Sequence, residues 1–423
     1  MNLKSYGHAT LSFEKEGKSL FITDPWLIGS CYWRSWWLQH YPSDLDLSIL
    51  SNTDFVFLTH EHWDHTHLPT LKKYFLNKKI LIPKFNSKRL RDSLRKNFQV
   101  EEITPNKWFS INEVNYMSIP MYNDDSILLF QYKNYLVCNI NDSKPTPQIL
   151  NKIKEFKKNK KLKMILMQSY APASINNSFI EKNSKRIILK SKVDYAKYVM
   201  KISKKLEASY FVPFASQAVF SRPDSEWANN FKSSWSDLNH YWNINTKLLK
   251  SYINFDFHKE EYGTYVSKFI KSEKMNDLAK LKYENNQNIK FNENDLNYFS
   301  YIASSVRYLL FIIYPFGIKF NLSNNYYNYS FLKKKFLKLK NKPKSYLEMP
   351  VNEFIESNKN FQFTDLGTSF VMKIHVNSKL NIIQTYLLFI FLTFSEKGYF
   401  SNYKNLLKQI SLIWKNFFPK KIF

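Results

Sequence analysis

Thr59-His60-Glu61-His62-Trp63-Asp64-His65 carries the pattern His60-x-His62-x-Asp64-His65, three imidazoles and a carboxylate within positions 60 to 65. Imidazole nitrogen and carboxylate oxygen are donors for zinc, iron and manganese ions. Alternate spacing aims His60 and His62 at one cation and leaves Asp64 and His65 to face a neighbouring one. Histidine is scarce in this chain, nine in 423 residues, yet four of the nine lie between positions 60 and 67, counting His67. Such clustering argues against core imidazoles and for a centre holding one or two divalent ions, zinc or iron. Two adjacent ions activate a shared water for attack on phosphorus or carbonyl carbon. An iron pair in the same donors activates dioxygen instead, and the donor set does not choose between them.

Working outward, residues 54–59 (Asp-Phe-Val-Phe-Leu-Thr) form a continuously apolar run of the kind buried on both faces of a sheet, so the histidine loop leaves the end of a core strand. Residues 9–13 and 19–23 read as earlier strands. Residues 68–75 read as a helix with Pro69 in its first turn, and 79–83 as a strand. Segments 127–132 and 135–140 predict a hairpin turning at Lys133-Asn134. A helix from Pro147, a strand over 163–167, a helix over 191–206 and a strand over 209–214 follow. This alternation predicts sheets covered by helices. Beyond about residue 250 the chain turns charged and Asn-rich, then aromatic-rich, with no motif that carries chemistry. The expected division is a metal-binding domain over 1–250 and a C-terminal α+β domain over 251–423.

The chain carries a formal charge of +27. The excess is mostly lysine scattered among Asn, Ile, Phe and Tyr, with only seven glycines. That composition follows from AT-rich coding, so a solvated basic surface is expected and no nucleic-acid partner. Cys31 and Cys138 are the only cysteines, which excludes a disulfide framework, a zinc ribbon and a cysteine-ligated cluster and fits a reducing, cytoplasmic setting. No charged-then-apolar leader precedes the first strand. The apolar stretches 308–320 and 386–394 fall short of the ~20 residues a bilayer span needs and are expected to be buried. Leu406, Leu407, Ile410, Ile413, Trp414 and Phe417, set among lysines, predict a basic amphipathic helix. Its apolar face is expected to pack on the domain, with membrane-surface contact as the other reading. No Gly-rich phosphate loop and no Gly-x-Ser-x-Gly elbow occurs.

The histidine loop, with Gly7-His8-Ala9-Thr10 and Thr23-Asp24-Pro25-Trp26-Leu27, resembles the metallo-β-lactamase superfamily, in the branch of ascorbate-6-phosphate lactonase and N-acyl-phosphatidylethanolamine phospholipase D. Over residues 20–75, including Trp36-Trp37-Leu38-Gln39-His40-Tyr41-Pro42 and Leu68-Pro69-Thr70-Leu71-Lys72-Lys73, it is similar to the CMP-N-acetylneuraminate hydroxylase family. The resemblance thins to Asn141-Asp142 and Val212-Pro213-Phe214-Ala215 and fades in the C-terminal part. It implies an α/β fold, the αβ/βα four-layer sandwich with a C-terminal α+β extension. It further implies His60 and His62 on one metal, Asp64 and His65 on the other, Asp142 bridging, and Asp64 and Asp142 as catalytic carboxylates. Two departures stand out. Met121 falls where a third histidine belongs, with Asp124 or Asp125 as substitutes, and Arg222 falls where a later histidine belongs, although a guanidinium cannot bind a cation. The Cys-x-His and Cys-x-x-His pairs of a Rieske cluster are missing.

The resemblance also places His8 near the metals and gives Asp24 a role in orienting a ligand imidazole. His67 is a further candidate beside the loop. Trp33, Trp36 and Trp37 can line a pocket for a sugar or nucleoside ring, or pack in the core. Arg222 with Arg34 can clamp a phosphate or carboxylate. The reading that follows is a metallo-hydrolase acting on a phosphorylated or nucleotide-linked small molecule, such as a sugar derivative. Its alternatives are an iron oxygenase served by a separate electron donor, and a non-catalytic protein with a degenerate site.

Overall fold

The computed structural model describes residues 1–423 except 112, 172–173, 182, 265–277, 279, 282–291 and 419–423. The charged, Asn-rich stretch therefore lies largely outside the described residues. Two mixed sheets face one another. One has eight strands, in the order Glu261–Thr264, Ile253–Asp256, Asn2–Tyr6, Thr10–Lys15, Lys18–Thr23, Phe55–Phe57, Lys79–Pro83 and Gln99–Ile103. The other has seven, in the order Lys247–Leu248, Tyr210–Phe214, Lys163–Ser169, Tyr135–Asn141, Ser126–Tyr132, Val114–Pro120 and Phe109–Ile111. The facing surfaces share a core of Leu11, Phe13, Phe21, Phe57, Phe130, Val137, Met167 and Val212. Phe13, Phe21 and Phe130 stack at 4.8 to 5.0 Å, and each such buried ring contributes about 1.5–3 kcal/mol. Helices Asp44–Ser51, Leu68–Tyr74 and Arg89–Leu94 cover the outer face of the first sheet, and Pro147–Asn159, Lys192–Leu206 and Trp235–Tyr241 that of the second. This is the expected αβ/βα four-layer sandwich. The predicted strands and helices stand within a few residues of their places, and the 133–134 turn closes an antiparallel pair.

After residue 250 the chain first completes the edge of the eight-stranded sheet, where Leu3 pairs with Phe255. It then builds a six-stranded sheet from Phe179–Ile180, Lys373–His375, Tyr346–Met349, Ile318–Leu322, Asn325–Ser330 and Lys335–Lys338, packed with helices that include Val351–Lys359 and Lys379–Glu396. One strand of this sheet thus comes from the N-terminal half. The extension's core also takes in Trp26, Cys31, Tyr32, Trp33, Trp36, Leu38 and Phe220. The three tryptophans are buried: Trp36 lies 6.0 Å from Phe370 and 5.2 Å from Phe220, which in turn sits 4.8 Å from Phe370. Trp33 and Trp36 join the two halves in that core, and Trp37 packs against Tyr41, Val219 and Leu278.

Two expectations are corrected. In 308–320, Leu310, Ile318 and Phe320 are buried, but Tyr308, Leu309, Ile312 and Phe316 are exposed, because a short helix lies on the surface before the chain enters its strand. The helical run Asn294–Ile313 is long and apolar enough to cross a membrane by length and composition. It gives Leu296, Phe299, Ile302, Ala303 and Val306 to the core and leaves Tyr301, Tyr308, Leu309 and Ile312 exposed. The last helix, Tyr403–Phe417, does pack on the sandwich, with Gln409 and Asn416 buried and Leu406, Leu412 and Ile413 half-buried, but Leu407, Ile410, Trp414 and Phe417 of its expected apolar face turn outward.

A chain ending at residue 264 would keep every strand of the two facing sheets yet bare Trp36 and Phe220. That fragment is expected to be insoluble, or to melt well below the full chain, and the full chain to unfold in one calorimetric transition. A soluble fragment with an undiminished Tm would instead establish the C-terminal part as a separable domain.

Candidate metal centre

Thr59 begins the histidine loop, and its anchor is Asp24, which follows the Lys18–Thr23 strand. The Asp24 carboxylate is fully buried. It accepts from the Thr59 amide at 2.7 Å, the Thr59 hydroxyl at 2.6 Å and the Asn141 amide at 2.6 Å, and it lies 3.0 Å from His65 Nδ1. Asp24 and Asn141 both hold left-handed backbone, φ 43° and 56°, as does Asp124 at 58°. Strain of this kind in non-glycine residues persists only where surrounding bonds over-determine it. Gly7 places His8: at φ +53° a Cβ would stand 2.7 Å from the Trp26 carbonyl oxygen, so no side chain fits before that histidine.

Because Asp24 takes the proton on His65 Nδ1, the other ring nitrogen is free to act as a donor atom to a cation. Nε2 of His65 points between two carboxylates, 3.4 Å from Asp64 and 3.3 Å from Asp142, and is buried without a hydrogen bond. His8 Nε2 is 3.0 Å from Asp64, whose other oxygen accepts from the Tyr32 hydroxyl at 2.8 Å. His60 Nε2 and His62 Nδ1 converge to 2.8 Å. Two groups result, His60 with His62 and Asp142, and His8 with Asp64 and His65, each with its donor atoms within 4.8 Å of one another. They abut: the His60 and His65 rings are 4.1 Å apart and Asp142 reaches both groups. Two converging imidazoles, and a third nitrogen unbonded between carboxylates, are what a divalent cation in each group would satisfy, so the residues fit the metal.

The electrostatics of His60 and His62 agree with that donor set, and the proton that the carboxylates hold on His65 is the one a cation would displace. Burial holds the His60 imidazole well below its ordinary value and the adjacent His65 and His62 rings push the same way, so it stays neutral. His62 is lowered by burial too, against the pull of Asp64 and Asp142. Burial opposes a charge on His65, yet Asp64, Asp142 and Asp24 raise it well above the usual range. Burial would raise Asp64, but His65 and His8 draw it well below a normal carboxylate. Asp125 is pushed up to about 7 by burial and by Asp142.

The remaining candidates divide. Asp125 lies 3.3 Å from His60 Nδ1 and is the acid that stands beside the loop where a histidine is missing. Asp124 turns away, 3.9 Å from Lys397 of the extension. Met121 is buried on the helix-covered face of the second sheet and is no ligand. His67 caps the Leu68–Tyr74 helix through Thr70 and faces the Ser30 carbonyl, so it shapes the chain beyond the loop and joins neither group. Arg222 is no anion clamp. Its fully buried guanidinium is spent on Asp224 at 2.9 and 2.7 Å, Glu353 at 2.7 Å and the Trp33 carbonyl at 3.2 Å. Arg34 binds the Leu278 carbonyl. Sequence reading missed Tyr32 and the anchoring role of Asn141. It also missed Glu61, which faces Arg89 at 3.4 Å and Lys397 at 3.9 Å. Only Asn141 carried a signal, its place beside Asp142.

Residues 2–136 match the family profile described as "Beta-lactamase superfamily domain". The chain is similar to the cytidine monophosphate-N-acetylneuraminic acid hydroxylase of Sus scrofa, 44% identical over 66 residues, 16% of this chain and 15% of that protein. It is similar as well to the inactive cytidine monophosphate-N-acetylneuraminic acid hydroxylase of Homo sapiens, 25% identical over 264 residues, 57% of this chain and 50% of that one. The matches thus span at most half the length of these relatives. Among solved structures, isothiocyanate hydrolase from Delia radicum gut bacteria aligns at 15% identity and a TM-score of 0.43, over 63% of this chain and 100% of that one. CmlA, a diiron beta-hydroxylase from Streptomyces venezuelae, aligns at 18% identity and a TM-score of 0.33, over 51% of this chain and 44% of that one.

Substitutions separate ligands from scaffold. His62→Ala is expected to abolish metal binding and Asp24→Ala to weaken it about 10- to 100-fold. Met121→Ala costs about 2–5 kcal/mol of stability and Arg222→Ala about 3–5 kcal/mol, by stranding buried Asp224 and Glu353, both with metal affinity retained. Denaturant titration beside metal titration checks all four. Loss of metal from the methionine variant would overturn the ligand assignment.

Proposed function

We propose that this protein is a metal-dependent hydrolase acting on a phosphorylated or nucleotide-linked small molecule, sugar derivatives among them, with Asp64 and Asp142 as its working carboxylates. The observation that carries the reading is the abutment of two groups, each of two imidazoles and one carboxylate, at Asp142 and the unbonded Nε2 of His65. When bound there, a pair of divalent ions supplies Lewis acidity for polarising an electrophile and activating water. The chain's own residues do the rest. Asp24 fixes the His65 tautomer and Tyr32 holds one oxygen of Asp64, so both donors are set before substrate arrives. His62 and Asp142 are the partly exposed members, which makes theirs the side that substrate meets. An anionic substrate is supported by Lys144. It is exposed and stands two residues after Asp142, so a cation is offered beside the open side. A nucleotide-linked sugar is supported by the similarity to the two sialic acid hydroxylases.

A second reading is an iron-dependent oxygenase. Two imidazoles and one carboxylate per ion is the donor set of non-haem iron oxygenases, and both curated relatives bear hydroxylase names. Electrons would then come from a separate donor, since Cys31 and Cys138 are the chain's only cysteines and both are buried.

Zinc-loaded protein is expected to hold about two equivalents and to cleave phosphoester or nucleotide-sugar substrates without oxygen uptake. Oxygen consumption by iron-loaded protein with a chemical reductant, and no cleavage with zinc, would favour the oxygenase. Failure to retain either metal through dialysis would sink both.

A further inference from the structure

The helix Tyr403–Phe417 docks by a mixed face, with Gln409 and Asn416 buried and Leu406, Leu412 and Ile413 half-buried beside them. Gln409 accepts from Asn86 at 3.1 Å and donates to the Tyr122 carbonyl. Asn416 donates to the Pro120 carbonyl at 3.3 Å, and its own carbonyl accepts from Thr146 at 2.5 Å. These contacts fix the helix's rotation. Positions 403, 407, 410, 414 and 417 recur at helical spacing on the opposite side, so Tyr403, Leu407, Ile410, Trp414 and Phe417 form one outward stripe, with Phe418 continuing it. All are exposed, Trp414 by 64% and Leu407 by 58%. A solvated surface helix ordinarily turns side chains of this size and apolarity inward. Lys404, Lys408 and Lys415, all exposed, fall together on one flank between the stripe and the buried amides, and the whole chain carries +27.

We propose that this helix is a membrane-adhesion surface that lays its apolar stripe into the interface of an anionic lipid bilayer. The occupant follows from the chemistry of the stripe and its flank. Tryptophan and tyrosine prefer the headgroup boundary, aliphatic and phenylalanine side chains partition just below it, and a row of lysines beside them adds attraction to anionic headgroups. A second copy of this chain would bring a like-charged lysine row to the same patch, which disfavours self-association. The helix rests on the 120–122 segment, which leads directly to Asp124 and Asp125. The proposal concerns adhesion alone, so it stands or falls separately from metal chemistry.

The test is co-sedimentation of the full-length protein with vesicles of phosphatidylcholine alone and of phosphatidylcholine containing about one-third phosphatidylglycerol. Binding to the anionic vesicles is expected, weaker binding to the neutral ones, and loss of binding at high salt. Leu407→Ser with Trp414→Ser should lower partitioning roughly tenfold or more. Lys404→Gln with Lys408→Gln and Lys415→Gln should remove the difference between the two vesicle types. These side chains face solvent, so circular dichroism and Tm should match the parent, and His62→Ala should bind vesicles undiminished. No binding by the parent, equal binding by the serine variant, or a dimer in sedimentation velocity that the serine variant breaks would each overturn the proposal.

Discussion

The buried carboxylate of Asp24 is the constraint on which the site depends. One side chain receives the Thr59 amide and hydroxyl, the Asn141 amide and His65 Nδ1. It thereby ties together three chain segments from two different sheets. Without it, the first sheet's histidine loop and the second sheet's Asp142 would have no common reference, and His65 would lose the bond that chooses its tautomer. An ionised carboxylate is costly to bury, and its hydrogen-bonded partners offset that cost. The left-handed backbone at Asp24 and Asn141 is held by the same bonds.

How much of this was legible follows from where the information sits. The central strands were readable because continuously apolar runs of short length have few other fates, and the loop was readable because histidine is rare elsewhere. Asn141 as an anchor was not readable beyond its place beside Asp142, since an amide there carries no periodic or compositional mark. Arg222 misled in the same way: alone in sequence it offered a free guanidinium, whereas Glu353, distant in the chain, is what consumes it. The last helix shows the limit of pattern reading most directly. Its amphipathicity is plain, but amphipathicity does not say which side chains turn inward, and here four hydrogen bonds to Gln409 and Asn416 set a rotation that leaves Leu407, Ile410, Trp414 and Phe417 outside.

The C-terminal extension is more than an appendage to the sandwich. It shares the Trp36 and Phe370 core, closes the Arg222 ion cluster with Glu353, and brings Lys397 to Glu61 within the histidine loop. Changes in the extension therefore reach the loop through packing and charge, although no residue of either His/carboxylate group comes from it.

The central claim is that the histidine loop, with Asp142 and His8, forms two abutting cation sites within one centre. Anomalous diffraction at the metal edge from crystals grown with zinc or iron tests it most directly. The account predicts two separate peaks, one bounded by His60, His62 and Asp142 and the other by His8, Asp64 and His65. A single peak, or density placed outside these residues, would contradict it.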